Sequence, residues 1–84
     1  MLGMVLERIV LHRKGDPENE YRELSIKHFD GYSFSVWQLV GFASNPDTWE
    51  RSRLKVGSES DMRSFLKSET HRLCSEEGFT IVES

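Results

Sequence analysis

The groups in this sequence that could carry chemistry are few and scattered. His12, His28 and His71 fall on different predicted elements. None stands at the helical or strand spacing that would bring it beside another metal ligand. A structural zinc site needs four convergent ligands, so the three histidines read as surface, edge or packing residues and no metal is expected. Cys74 follows His71 by three residues. A thiol nucleophile needs a base and a group that orients that base, and nothing here supplies the second. Cys74 therefore reads as a half-buried structural residue. Serines are plentiful, but there is no G-x-S-x-G and no glycine-rich phosphate loop before a helix. Glu76 and Glu77 close a predicted helix at its unfavourable end, and no two acids are set across a cleft for acid–base work. The acidic loop KGDPENE, 14–20, has too few ligands at the wrong spacing for calcium. The expectation is a protein that is not an enzyme, with no catalytic residue and no cofactor.

One cationic pattern stands out. In WERSRLKV, 49–56, Trp49, Arg51, Arg53 and Lys55 share one parity of a predicted strand, with Leu54 and Val56 on the other. If that side faces away from the helix, Lys27 and Trp37 join it. Such an aromatic and basic sheet surface binds single-stranded nucleic acid by stacking and phosphate contacts. The plainer reading is that cations at the solvent positions of an edge strand discourage edge pairing. The formal charge of −3 weighs against a generally basic nucleic-acid binder.

The elements that position these residues follow from composition and pattern. A length of 84 residues predicts a single domain, 1–84. With 37% hydrophobic and 30% charged residues the chain is globular rather than disordered. A single cysteine excludes an internal disulfide and suits a reducing cytoplasm. MLGMVLERIVLHRK is interrupted by Glu7 and Arg8 and has no basic leader, so it is not read as a signal peptide. No stretch approaches the ~20 apolar residues that span a bilayer, and no membrane role is expected.

Residues 4–12 read as a strand with apolar residues on both parities, as in a strand covered on both faces or at a dimer contact. Residues 21–29 and 32–42 read as a hairpin around Asp30-Gly31. A two-residue turn would put the apolar residues of its strands on opposite faces, because side chains alternate with period two. A three-residue loop, Phe29-Asp30-Gly31, with Gly31 left-handed, repairs this. It pairs His28 with Tyr32, Ile26 with Phe34 and Leu24 with Val36. Those apolar residues then share an inner face, and Trp37 and Leu39 point away from it among Glu23, Ser25, Lys27, Ser33 and Ser35. GFASNPDT, 41–48, reads as a turn region centred on Asn45-Pro46-Asp47. Residues 57–78 predict one amphipathic helix capped by Ser58 or Ser60, with Met62, Phe65, Leu66 and Leu73 on one stripe and Glu69 at its edge. Gly78 and Phe79 end it, and FTIV, 79–82, is predicted to return as an edge strand.

Residues 21–79 resemble the WGR domain in YSFSVWQLVGF, in FLKSETHRLCSEEGF and in the order of elements. The Trp-Gly-Arg signature itself is absent, WQLVG standing in its place, so DNA-end recognition does not carry over. SVWQ followed by NPDTW is similar to MbtH-like proteins, small sheet-and-helix partners of peptide synthetases, but their closing WTDxRP motif is missing. Neither resemblance assigns a family. Both imply that a meander packed on one helix serves as a binding module.

The fold expected is α+β: an antiparallel β-meander of four to five strands with one amphipathic helix across one face. The function expected is a cytoplasmic interaction module that binds a protein partner, or a second copy of itself, through the helix-free face at Trp37, Leu39 and Trp49. The alternative is weak nucleic-acid binding through Lys27, Arg51, Arg53 and Lys55.

Overall fold

The structure is a computed structural model and describes residues 4–15, 19–29, 33–42 and 45–84. The elements are β1 (Met4–Arg13), β2 (Glu20–Phe29), β3 (Ser33–Phe42), β4 (Asn45–Gly57), α1 (Glu59–Glu76) and β5 (Thr80–Glu83). The strands form one open sheet in the order β4-β3-β2-β1-β5, with every neighbour antiparallel. This is the expected α+β meander with one helix on one face. β1 is interior to the sheet, paired with β2 and β5 within the chain. β4 forms one long edge and the four-residue β5 the other.

The hairpin register departs from expectation by two residues. β2 and β3 pair Phe29 with Ser33, His28 with Phe34, Ile26 with Val36 and Ser25 with Trp37. The connection is therefore residues 30–32, not 29–31; the expected His28–Tyr32 pair is replaced by His28–Phe34, and the expected left-handed Gly31 lies outside the described residues. A slip of two preserves parity, so the inner and outer faces are those expected. The observed register also sets Gly41 opposite Tyr21. A glycine beside a large ring leaves room that the expected register, with Leu39 opposite Tyr21, would not.

Two further corrections lie in β4. The strand begins at Asn45, which pairs with Phe42, so Asn45-Pro46-Asp47 is strand rather than turn. Proline is tolerated there because an edge strand has no ladder bond to lose on its open side. The register then shifts between Trp37 and Val36: Trp37 pairs with Arg53, but Val36 pairs with Lys55. Leu54 is the extra residue of this bulge and packs against the core.

The core joins Leu11, Leu24, Ile26 and Val36 of the sheet to Met62, Leu66 and Leu73 of α1, all essentially inaccessible. Burying each such side chain contributes ~1.5–3 kcal/mol. Of the expected helical stripe, Phe65 is only partly buried and Thr70 takes a buried place. Thr70 tolerates it because its hydroxyl donates to the Leu66 carbonyl at 2.7 Å. The helix starts where Ser58 caps it, its hydroxyl accepting from the Asp61 N–H at 3.1 Å, with Glu59 and Asp61 in the first turn. It ends at Gly78, left-handed at φ 78°, after which the Phe79 N–H donates to the Leu73 carbonyl. No basic residue stands in the last turn. Arg13 of β1 supplies one, donating to the Glu77 carbonyl at 3.0 Å.

Phe79 is buried under two guanidinium groups, Arg13 and Arg22, at 4.8 and 5.0 Å from its centroid. The buried Glu20 carboxylate joins both arginines. Beside this cluster Arg72 grips Glu69 through two bonds of 3.0 and 2.8 Å. That hydrogen bonding holds the Glu69 carboxyl below its usual 4.5. A depressed carboxyl pKa contributes stability that is present above pH 4.5 and is lost as pH falls through the lowered value. In Arg72→Met the Glu69 titration followed by NMR should return to the ordinary carboxylate range. An unchanged midpoint would contradict the assignment.

Candidate functional site

The face of the sheet away from α1 carries Trp37, Leu39 and Trp49 together. Trp37 stands between Ser25 of β2 and Arg53 of β4, and Leu39 between Glu23 and Arg51. All are half-buried rather than hidden. The Trp37 indole N–H donates to the Ser35 hydroxyl at 2.8 Å, and the Lys27 ammonium lies 5.1 Å from the ring centroid. Ser25 and Ser35 are themselves buried on this uncovered face. The bond to Ser35 and the Lys27 ammonium hold the Trp37 ring in place on this face.

Trp49 is seated by a glycine. A Cβ at Gly41 would meet the Trp49 ring at 2.2 Å, so the indole lies directly on the backbone of β3. Its N–H donates to the Phe42 carbonyl at 2.9 Å. Tyr21 lies beside it, with ring centroids 6.3 Å apart and nearly parallel, and His12 beyond at 5.0 Å from Tyr21. The result is a file of rings across one end of the face. Gly41→Ala should displace Trp49, break its bond to Phe42 and lower stability by about 1–3 kcal/mol. Trp emission should shift to the red with it. Gly57→Ala is the contrast, since its Cβ would meet only the flexible end of Met62 at 3.2 Å. Equal behaviour of the two variants would contradict the seating.

The cationic stripe does not survive folding intact. Arg51 and Arg53 lie exposed on this face, opposite Leu39 and Trp37. Lys55 does not. The bulge at Leu54 turns it to the helix side, where its ammonium lies 5.2 Å from the Phe65 ring centroid. Strict alternation fails at a bulge, because two residues oppose one. Lys27 is on the face but is spent on Trp37. On the β1 side Arg8 bridges Glu23 at 3.2 Å and Glu83 at 2.9 Å. The bond to Glu23, more than that to Glu83, raises the Arg8 pKa above its ordinary value.

The remaining reactive groups do not converge. His28 stacks on Phe34 at 4.1 Å on the helix side, its Nε2 buried without a partner among the described residues. His12 belongs to the ring file, and His71 is exposed on α1. Cys74 is a free, half-buried thiol. Among the described residues no group of three or more His, Cys, Asp or Glu side chains is close enough to hold a metal ion. No helix among them is long and apolar enough to cross a membrane. What the face offers is contact area and oriented aromatic rings.

Sequence reasoning missed Tyr21 and His12. Tyr21 shares parity with Ser25 and Lys27, so its face was legible; its place beside Trp49 was not, since that depends on Gly41 lying opposite it. Comparison with protein families, with curated proteins and with solved structures finds no match.

Proposed function

We propose that this protein is a non-enzymatic interaction module of a reducing, cytoplasmic compartment, and that it associates with a second copy of itself through the helix-free face. The observation that carries the reading is that both tryptophans of the chain lie on that face, each half-exposed and each pinned by a hydrogen bond from its indole nitrogen. Rigid, half-exposed aromatic rings supply large contact area at little entropic cost, and such rings dominate the energetics of protein interfaces. Exposed Val5 and Val56 extend the apolar surface around them.

Size and charge favour a second copy. The molecule extends 42 × 28 × 18 Å, so its broad face exceeds the ~800 Å² per partner of a standard interface. A two-fold axis lying between two sheets and along their strands would set β4 of one copy over β5 and β1 of the other. Arg51 and Arg53 then meet the side on which Glu23 and Glu83 share the one guanidinium of Arg8, a net negative charge. Pairing β4 with β4 edge to edge is disfavoured, because centring it on Ser52 sets Arg51 against Arg53 of the second copy.

Nucleic-acid binding is less well supported. Lys27 already lies over the Trp37 ring that a base would stack on, and Lys55 faces the helix. The test is sedimentation equilibrium from micromolar concentration upward, with a low-salt shift assay on single- and double-stranded DNA and RNA. The reading expects a mass of two chains and no shift. A monomer at every concentration would refute self-association. A shift that weakens with salt and with Arg51 and Arg53 neutralised would establish the nucleic-acid alternative instead.

A further inference from the structure

α1 lies over β2, β3 and β4. Toward the other side of the sheet a groove of about 570 Å³ opens between the helix and strands β1 and β5. Its floor is Ile9 and Ile81, and its wall is Thr70 and Cys74. Ile81 is 45% exposed although Leu11, its partner across the ladder, is fully buried on the same side. The floor is apolar, as the lining of small-molecule sites is, and the volume falls within their usual ~300–1,000 Å³.

The rim carries two cations, Arg63 and Lys67, and one acid, Glu7. Arg63, Lys67 and His71 follow one another along α1 at a spacing of four, on the side that borders the groove. Arg63 is committed to Glu7 at 2.8 Å and Glu59 at 2.9 Å. Arg63 is thus one guanidinium shared by two carboxylates. Lys67 and His71 enter no ion pair among the described residues. Among the charged side chains that line the groove, Glu7 stands against Arg63 and Lys67, a balance of one positive charge.

We propose that this groove binds a small amphipathic anion, a carboxylate on an aliphatic or aromatic body. The body would lie along Ile9 and Ile81 and the carboxylate would meet the Lys67 ammonium, with the His71 ring beside it. The site is on the helix side of the sheet and is independent of the self-association reading.

The isoleucines of the chain report directly: Ile9 and Ile81 line the groove, and Ile26 is fully buried in the core as the internal reference. The full chain, with labelled isoleucine methyls, is titrated with decanoate and separately with decylamine, both below their micelle concentrations. Decanoate should move the Ile9 and Ile81 methyls to saturation and leave Ile26 in place, and decylamine should move none. Lys67→Glu, at an exposed position, should weaken decanoate about tenfold. Methyls that do not move with decanoate, that move equally with decylamine, or that respond equally in Lys67→Glu would each overturn the proposal.

Discussion

Leu24→Ala should destabilise the protein by about 2–5 kcal/mol. Leu24 is fully buried on β2, the central strand of the sheet, between Ile9 and Gln38. The leucine's lost transfer energy adds to the cavity left behind, because strands held on both sides cannot close around it. A domain of this length has a total stability of roughly 4–13 kcal/mol, so the substitution removes a large share of it. Urea denaturation followed by circular dichroism should show a lower midpoint with an unchanged slope. A loss below ~1 kcal/mol would mean that the helix does not close on this part of the sheet.

Trp37→Ala should weaken self-association about thirtyfold, ~2 kcal/mol, as loss of a central aromatic anchor does. Trp37 occupies the middle of the proposed interface, between Leu39, Arg53 and the Ser25–Ser35 row. Removing it also frees Lys27 and uncovers the Ser35 hydroxyl. Leu39→Glu separates association from these local effects. It leaves the Trp37 bonds intact and replaces apolar area of the same patch with a charged group beside Arg51. Both variants should keep the wild-type circular dichroism spectrum and lose the two-chain mass. Wild-type association in both would remove Trp37 and Leu39 from the interface.

Much of this architecture was legible in the sequence because parity survives errors of register. The apolar pattern of β2 and β3 excluded an odd shift, and a slip of two left Trp37 and Leu39 on the outer face. A serine cap at Ser58 or Ser60, the Gly78 stop and the returning β5 are local signals. What the sequence hid was non-local. The bulge at Leu54, which carries Lys55 away from Arg51 and Arg53, has no signal in the alternation, which by itself already sets Leu54 and Trp49 on opposite faces. Strict alternation carries Lys55 onto the outer face with the arginines, and only the extra residue of the bulge moves it off. The beginning of β4 at Asn45-Pro46 was hidden because the turn chemistry of those residues is equally compatible with an edge strand. The groove beside Ile81 was hidden because it depends on how far α1 reaches across the sheet, which no helical periodicity encodes.

The central claim, that the helix-free face is where two copies meet, is tested most directly by the tryptophans themselves. Both lie on that face, so emission reports on it alone. Acrylamide quenching measured across a dilution series should fall over the concentration range in which the mass rises from one chain to two. A mass that doubles while the quenching constant stays fixed would place the interface elsewhere and contradict the account.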